Sequence, residues 1–116
     1  MPDRWEASDR FVGLLSGRWT LPVLAELSTG GRRYQDIDEA LDGVSHKVLT
    51  ETLRRAERDG LIVRHLDPGR VQTATLYHLT ELGRTLADPL DALDKWVGLN
   101  WPKVEAARQG WDRLKE

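Results

Sequence analysis

The chain has 116 residues, 40% hydrophobic and 31% charged, with 17 Lys and Arg against 19 Asp and Glu and a formal net charge of −2. That composition supports one hydrophobic core and leaves little room for a catalytic domain joined to a binding domain. The lack of cysteine excludes a disulfide framework, a thiolate zinc site and a thiol redox sensor, and no apolar run is long enough to span a membrane.

The opening MPDRWEASDR has no signal-peptide core, so the expected location is the cytoplasm. Trp5, Phe11, Val12, Leu14 and Leu15 fall near helical spacing after a candidate cap at Asp3, and Ser16-Gly17 ends the segment. A second apolar stripe, Trp19, Val23, Leu24 and Leu27, carries Pro22 near its start, where a missing N–H costs little. Tyr34, Ile37 and Leu41 mark a short third helix over about 34–41, and Asp42-Gly43-Val44 makes a tight connection. Ser45 is a good N-cap for a helix running to Asp59, with Val48, Leu49, Thr52, Leu53 and Ala56 on its apolar face and Gly60 as its left-handed terminus.

Leu61 to Leu66 reads as a strand, Asp67-Pro68-Gly69 as a type II turn and Thr75 to Leu79 as the returning strand. A long helix is expected to open at Thr80, with Leu82, Leu86, Leu90, Leu93, Trp96 and Val97 on one side. Pro89 should kink or split it, and Pro102 should separate a last amphipathic segment holding Val104, Ala107 and Trp111. No repeat or long linker interrupts the chain. The expected fold class is therefore α+β and mostly helical: one winged helix-turn-helix domain with a two-stranded wing. Its helix-turn-helix covers about 34–59 and its wing about 61–79, flanked by terminal helices at about 3–16 and 80–116.

The near-neutral total hides a local imbalance. Asp36, Asp38, Glu39 and Asp42 form an acidic stretch, whereas residues 43–71 place Lys47, Arg54, Arg55, Arg58, Arg64 and Arg70 against Glu51, Glu57, Asp59 and Asp67. A phosphate backbone is met by a local basic patch, so the composition does not exclude nucleic acid. On helix 45–59 the exposed positions His46, Thr50 and Arg54 recur every fourth residue beside Lys47, Glu51 and Arg55. Short polar groups at the start of such a helix suit base edges, and cations further along suit phosphates. Ser45, His46 and Thr50 are thus the candidates for base contact, and Lys47, Arg54, Arg55, Arg58 and Arg70 for phosphate contact. A solvated charged face is the plainer alternative.

Four fragments in register carry a family resemblance: Gly17-Arg18-Trp19-Thr20-Leu21-Pro22-Val23-Leu24, Arg32-Arg33-Tyr34-Gln35-Asp36-Ile37, Ser45 to Arg54 followed by Asp59-Gly60-Leu61-Ile62, and Tyr77 to Arg84. Together they resemble HxlR-type transcription regulators from about Phe11 to Trp96. The resemblance implies a MarR-like winged helix, a homodimer joined through its N- and C-terminal helices, and a palindromic DNA operator. Two departures stand out. Many relatives carry a sensing cysteine near the N-terminal helix, and residues 1–20 contain none here. Relatives often place an Arg three residues before the wing tyrosine, where this chain has Ala74; Arg70 lies four residues earlier.

His65 and His78 face each other across the expected hairpin but lack the further ligands that zinc needs, so neither a metal nor a cofactor is expected. No nucleophile elbow, zincin motif or phosphate-binding glycine loop is present, and an enzyme is not expected. Of the five tryptophans, Trp5 and Trp19 fall near the N-terminus and Trp96, Trp101 and Trp111 toward the C-terminus. With Phe11 they suit the core and a dimer interface; a pocket for a small apolar or aromatic effector is the sharper alternative. The expected function is a sequence-specific, DNA-binding, homodimeric repressor. The alternative, favoured by the acidic stretch 35–42, is a winged-helix protein-interaction module without DNA of its own.

Overall fold

The computed structural model describes residues 4–67 and 74–115, with side chains over 6–66 and 75–115. The turn at Asp67-Pro68-Gly69, the cap at Asp3, Arg70 and the Trp5 side chain lie outside the described residues. The chain divides into two compact units, Met1–Thr85 and Leu86–Glu116.

The first unit begins with α1 (Arg4–Leu15) and α2 (Thr20–Glu26), followed by β1 (Arg32–Arg33), α3 (Tyr34–Ala40) and α4 (His46–Arg58). The hairpin strands β2 (Ile62–Asp67) and β3 (Ala74–Leu79) lead into the single turn of α5 (Glu81–Arg84). β3 is the central strand of an antiparallel sheet ordered β1-β3-β2. Its register sets Arg32 and Arg64 on either side of Tyr77, and Arg33 and His65 on either side of Leu76. β1 is an addition to the expected two-stranded wing; two residues are too few to show a strand period.

The core is aliphatic. α2 contributes Val23 and Leu24, joined by Leu27, while Ile37 and Leu41 come from α3 and its exit, and Leu49, Leu53 and Ala56 from α4. Leu61 and Ile62 close it from the sheet side. Each buried Val, Leu or Ile contributes roughly 1.5–3 kcal/mol before conformational entropy is subtracted. Two polar members are satisfied locally: the Thr52 hydroxyl donates to the Val48 carbonyl at 2.8 Å and Thr20 to Ser16 at 3.2 Å. Val48, expected on the apolar face, is 38% exposed instead. It lies at the start of α4, where the buried stripe begins one residue later at Leu49.

The ends of α4 follow from local chemistry. The Ser45 hydroxyl accepts the Val48 N–H at 3.1 Å, which satisfies one of the helix's orphan donors. At the other end Gly60 takes φ +78°, its N–H bonding Glu57 O while Leu61 N–H reaches Ala56 O, both at 3.0 Å. Those two bonds are a Schellman ending. Asp36 is likewise committed, accepting the Arg33 backbone N–H at 3.3 Å to cap α3.

The helix expected to open at Thr80 is split as the proline predicts: α5 ends at Arg84 and a new helix, α6 (Ala87–Leu114), forms the second unit. Pro89 falls in the first turn of α6, where its missing N–H and its ring deny the Thr85 carbonyl a continuing helical bond. One expectation needs correction. Pro102 lies inside α6 and does not end it. Gly98 is exposed, so its carbonyl, left without a donor, is open to solvent rather than buried unpaired.

Candidate nucleic-acid interface

α4 divides sharply into two faces. Leu49, Thr52, Leu53 and Ala56 are buried, while His46, Lys47, Glu51, Arg54, Arg55 and Arg58 are exposed. The preceding connection, residues 41–45, turns at Gly43 with φ +89° and sets α4 after α3 as the second helix of a helix-turn-helix.

Beside α4 opens a cleft of about 430 Å³, lined from α4 by His46, Thr50, Leu53, Arg54 and Glu57. Arg33, Tyr34 and Gln35 line it from the start of α3, and Arg64, Thr75 and Tyr77 from the sheet. Within its lining the Tyr34 hydroxyl lies 2.7 Å from His46 Nδ1, donates to the His46 carbonyl at 3.1 Å and lies 3.3 Å from Thr50 Oγ1. The Tyr34 and His46 rings are tilted by 58° with centroids 5.1 Å apart. On the sheet side Arg64 Nε donates to Glu57 Oε2 at 3.0 Å, tying β2 to α4. Burial pushes the Tyr77 hydroxyl above its usual range, against the opposing pull of the Arg64 charge, so it stays neutral at physiological pH.

The structure thus brings His46, Thr50 and Arg54 to one cleft. Ser45 caps the helix immediately before them, and Lys47 and Arg58 are exposed on its first and last turns. Arg55 lies on another side of α4, with its guanidinium nitrogens near Gly17 at the α1–α2 junction. The cleft residues Arg33, Tyr34, Arg64 and Tyr77 were not among the sequence candidates. Tyr34 was read only as a marker of the short third helix, since helical spacing does not reveal a hydroxyl's partners. Two arginines directly before a helix start were the signal available for Arg33.

The histidines of the wing pair diagonally. His65 stands opposite Leu76 and His78 opposite Val63, and the imidazoles meet edge to face at 5.5 Å. His78 also packs against Gly31, where a methyl group would collide with the imidazole in its present position. Among the described residues no cluster of three or more His, Asp or Glu could hold a metal ion. The described tryptophans do not belong to the core. Trp19 is half-buried beneath Arg18, while Trp96 and Trp111 on α6 are 56% and 60% exposed, and Trp101 is also exposed. Arg108 lies over Trp101 and Lys115 over Trp111, at 4.9 and 5.1 Å. Phe11 on α1 is exposed as well.

A family model described as an HxlR-like helix-turn-helix matches residues 14–105. The chain belongs to this family. The HxlR-like match begins inside α1 and ends inside α6, so it contains the whole α3–α4 pair, the sheet and the cleft. Among relatives, the HTH-type transcriptional regulator YtfH of Escherichia coli K12 is 35% identical over 94 residues, covering 81% of this chain and 74% of its own. YvaP of Bacillus subtilis 168, also an HTH-type transcriptional regulator, is 33% identical over 89 residues, with coverages of 77% and 82%. The crystal structure of a MarR-family transcriptional regulator from Enterococcus faecalis V583 superposes with a TM-score of 0.78 at 31% identity, covering 92% of this chain and 96% of that one. This HxlR-like chain is therefore a DNA-binding transcriptional regulator of the helix-turn-helix type with a winged, mostly helical fold. No helix among the described residues is long and apolar enough to cross a membrane.

Proposed function

We propose that the protein is a homodimeric repressor that occupies a palindromic operator, with α4 of each protomer in a major groove and half-sites about one helical turn apart. The observation that carries this reading is the exposed face of α4, where short polar groups precede cations beside a cleft edged by further arginines. Ser45, His46 and Thr50 meet base edges, and Lys47, Arg54, Arg58 and Arg70 neutralise phosphates. Arg55 reaches the backbone from the α1–α2 side. The exposed apolar residues of α6 support the homodimer, because a 28-residue helix with no buried residue gains its stability from a partner. Trp5, Phe11, Trp19, Trp96, Trp101 and Trp111 contribute to that interface, and a small aromatic effector that stacks on them would release the operator by preferring another dimer geometry.

Selection of bound sequences from a random duplex pool tests the reading. The expected product is a palindrome with half-site centres about 10 base pairs apart. With that duplex, Arg58→Ala should weaken binding to all sequences alike and reduce the salt slope by about one, whereas Thr50→Ala should change the preferred base at one position of each half-site. Failure to bind any duplex even at low salt would replace this reading with that of a protein-interaction module.

A further inference from the structure

We propose that Tyr34 is a positioning residue for base readout, its one hydroxyl setting both His46 and Thr50 as hydrogen-bond acceptors toward the major groove. This rests on the assignment of His46 and Thr50 as base-contacting residues.

The Tyr34 hydroxyl has a single proton and three neighbours able to accept it: His46 Nδ1 at 2.7 Å, the His46 carbonyl at 3.1 Å and Thr50 Oγ1 at 3.3 Å. A neutral imidazole has one N–H, and the hydrogen bond made by one ring nitrogen decides which nitrogen carries it. The His46 carbonyl has no proton to give, so Tyr34 O–H donates to it, and the 2.7 Å contact is then Nδ1–H donating to the tyrosine oxygen, which leaves Nε2 unprotonated. His46 is exposed, and the bare Nε2 is the acceptor it offers. Thr50 in turn gives its hydroxyl proton to the Tyr34 oxygen, which leaves lone pairs and a methyl group for the groove.

Such a pair has a definite base preference. A bare Nε2 from His46 suits the amino groups of the major groove, on adenine or cytosine. An acceptor from Thr50 suits the same groups, and its methyl the methyl of thymine. The opposite His46 tautomer would present Nε2–H and invite N7 or O6 of guanine or O4 of thymine instead. Around the ring lie Arg33 beside Tyr34, Arg54 and Glu57 on α4, and Arg64 and Tyr77 on the sheet. Glu57 is held by Arg64 at 3.0 Å, which leaves the tyrosine as the hydroxyl that holds the ring.

Tyr34→Phe removes the hydroxyl and keeps the aromatic ring. At about pH 8, ¹⁵N spectra of the free, full-length protein should show His46 with a protonated Nδ1 and an unprotonated Nε2. In Tyr34→Phe both resonances should move toward each other as the tautomers mix. Selection from the random duplex pool should then show discrimination at the His46-contacted base falling about two- to tenfold, as loss of one hydrogen bond implies. In a His46→Ala background the same substitution should add nothing at that base. Unchanged ¹⁵N shifts and base preference in Tyr34→Phe would overturn the role of Tyr34 while His46→Ala still altered the preference. If His46→Ala left the preference untouched, the base-contact assignment itself would fall and the role of Tyr34 with it.

Discussion

Gly83→Ala should leave the winged unit barely stable or unfolded. Gly83 is buried in α5, and a methyl built on it would run into the carbonyl oxygen of Leu61, with the carbonyl carbon 3.1 Å and Leu79 Cδ2 3.3 Å away. The oxygen is not free to move. It accepts the Thr80 N–H at 3.0 Å, and Thr80 Oγ1 both donates to Gly60 O at 2.6 Å and accepts the Gly83 N–H at 3.0 Å. Those bonds staple the exit of α4 to the exit of β3, so relieving the clash means losing some of them. Overpacking at about 1–3 kcal/mol and lost hydrogen bonds at about 1 kcal/mol each together reach about 3–5 kcal/mol. A domain of this size has only about 5–15 kcal/mol to lose. Urea denaturation followed by circular dichroism measures the effect; a midpoint equal to that of the unsubstituted chain would show that the backbone yields cheaply.

The double substitution Val97→Glu with Val104→Glu should convert the protein to monomers and lower operator affinity by at least about a hundredfold. Leu90, Val97, Val104 and Trp111 recur at seven-residue intervals along α6, as do Leu93, Asn100, Ala107 and Leu114. Two such rows make the seam along which helices pair, and none of these residues is buried within the chain itself. Carboxylates on that seam would be desolvated in the dimer and hydrated in the monomer, which shifts the equilibrium to the monomer. α4 belongs to the other unit, so each monomer keeps its reading helix. What it loses is the second half-site held at high effective concentration. Sedimentation and operator titration report the two losses separately. A variant that stays dimeric and binds normally would place the dimer contact elsewhere.

The sequence was informative wherever a structure depends on near neighbours. Ser45 as a cap, Gly60 as a helix terminus, the two faces of α4 and the returning strand at 75–79 were legible because hydrogen bonds over three to five residues and the 3.6-residue period dictate them. The helix-turn-helix order and the candidates on α4 followed from those elements. Pro102 was misleading, since the rule that proline breaks helices weighs one lost donor and ignores the hydration of an exposed helix.

Tertiary structure decided what depends on residues far apart in the chain. The two-residue β1 exists only because β3 pairs with it, and Gly83 is obligatory only because the Leu61 carbonyl lies against it. Arg55 and Arg54 are adjacent in sequence, yet one approaches Gly17 and the other lines the cleft. Tyr34 shows the division most sharply. Its place on a short helix was readable from spacing, but its hydroxyl meets His46 and Thr50 across the packing of two helices, and a periodic pattern carries no record of where a side chain's last atom comes to rest.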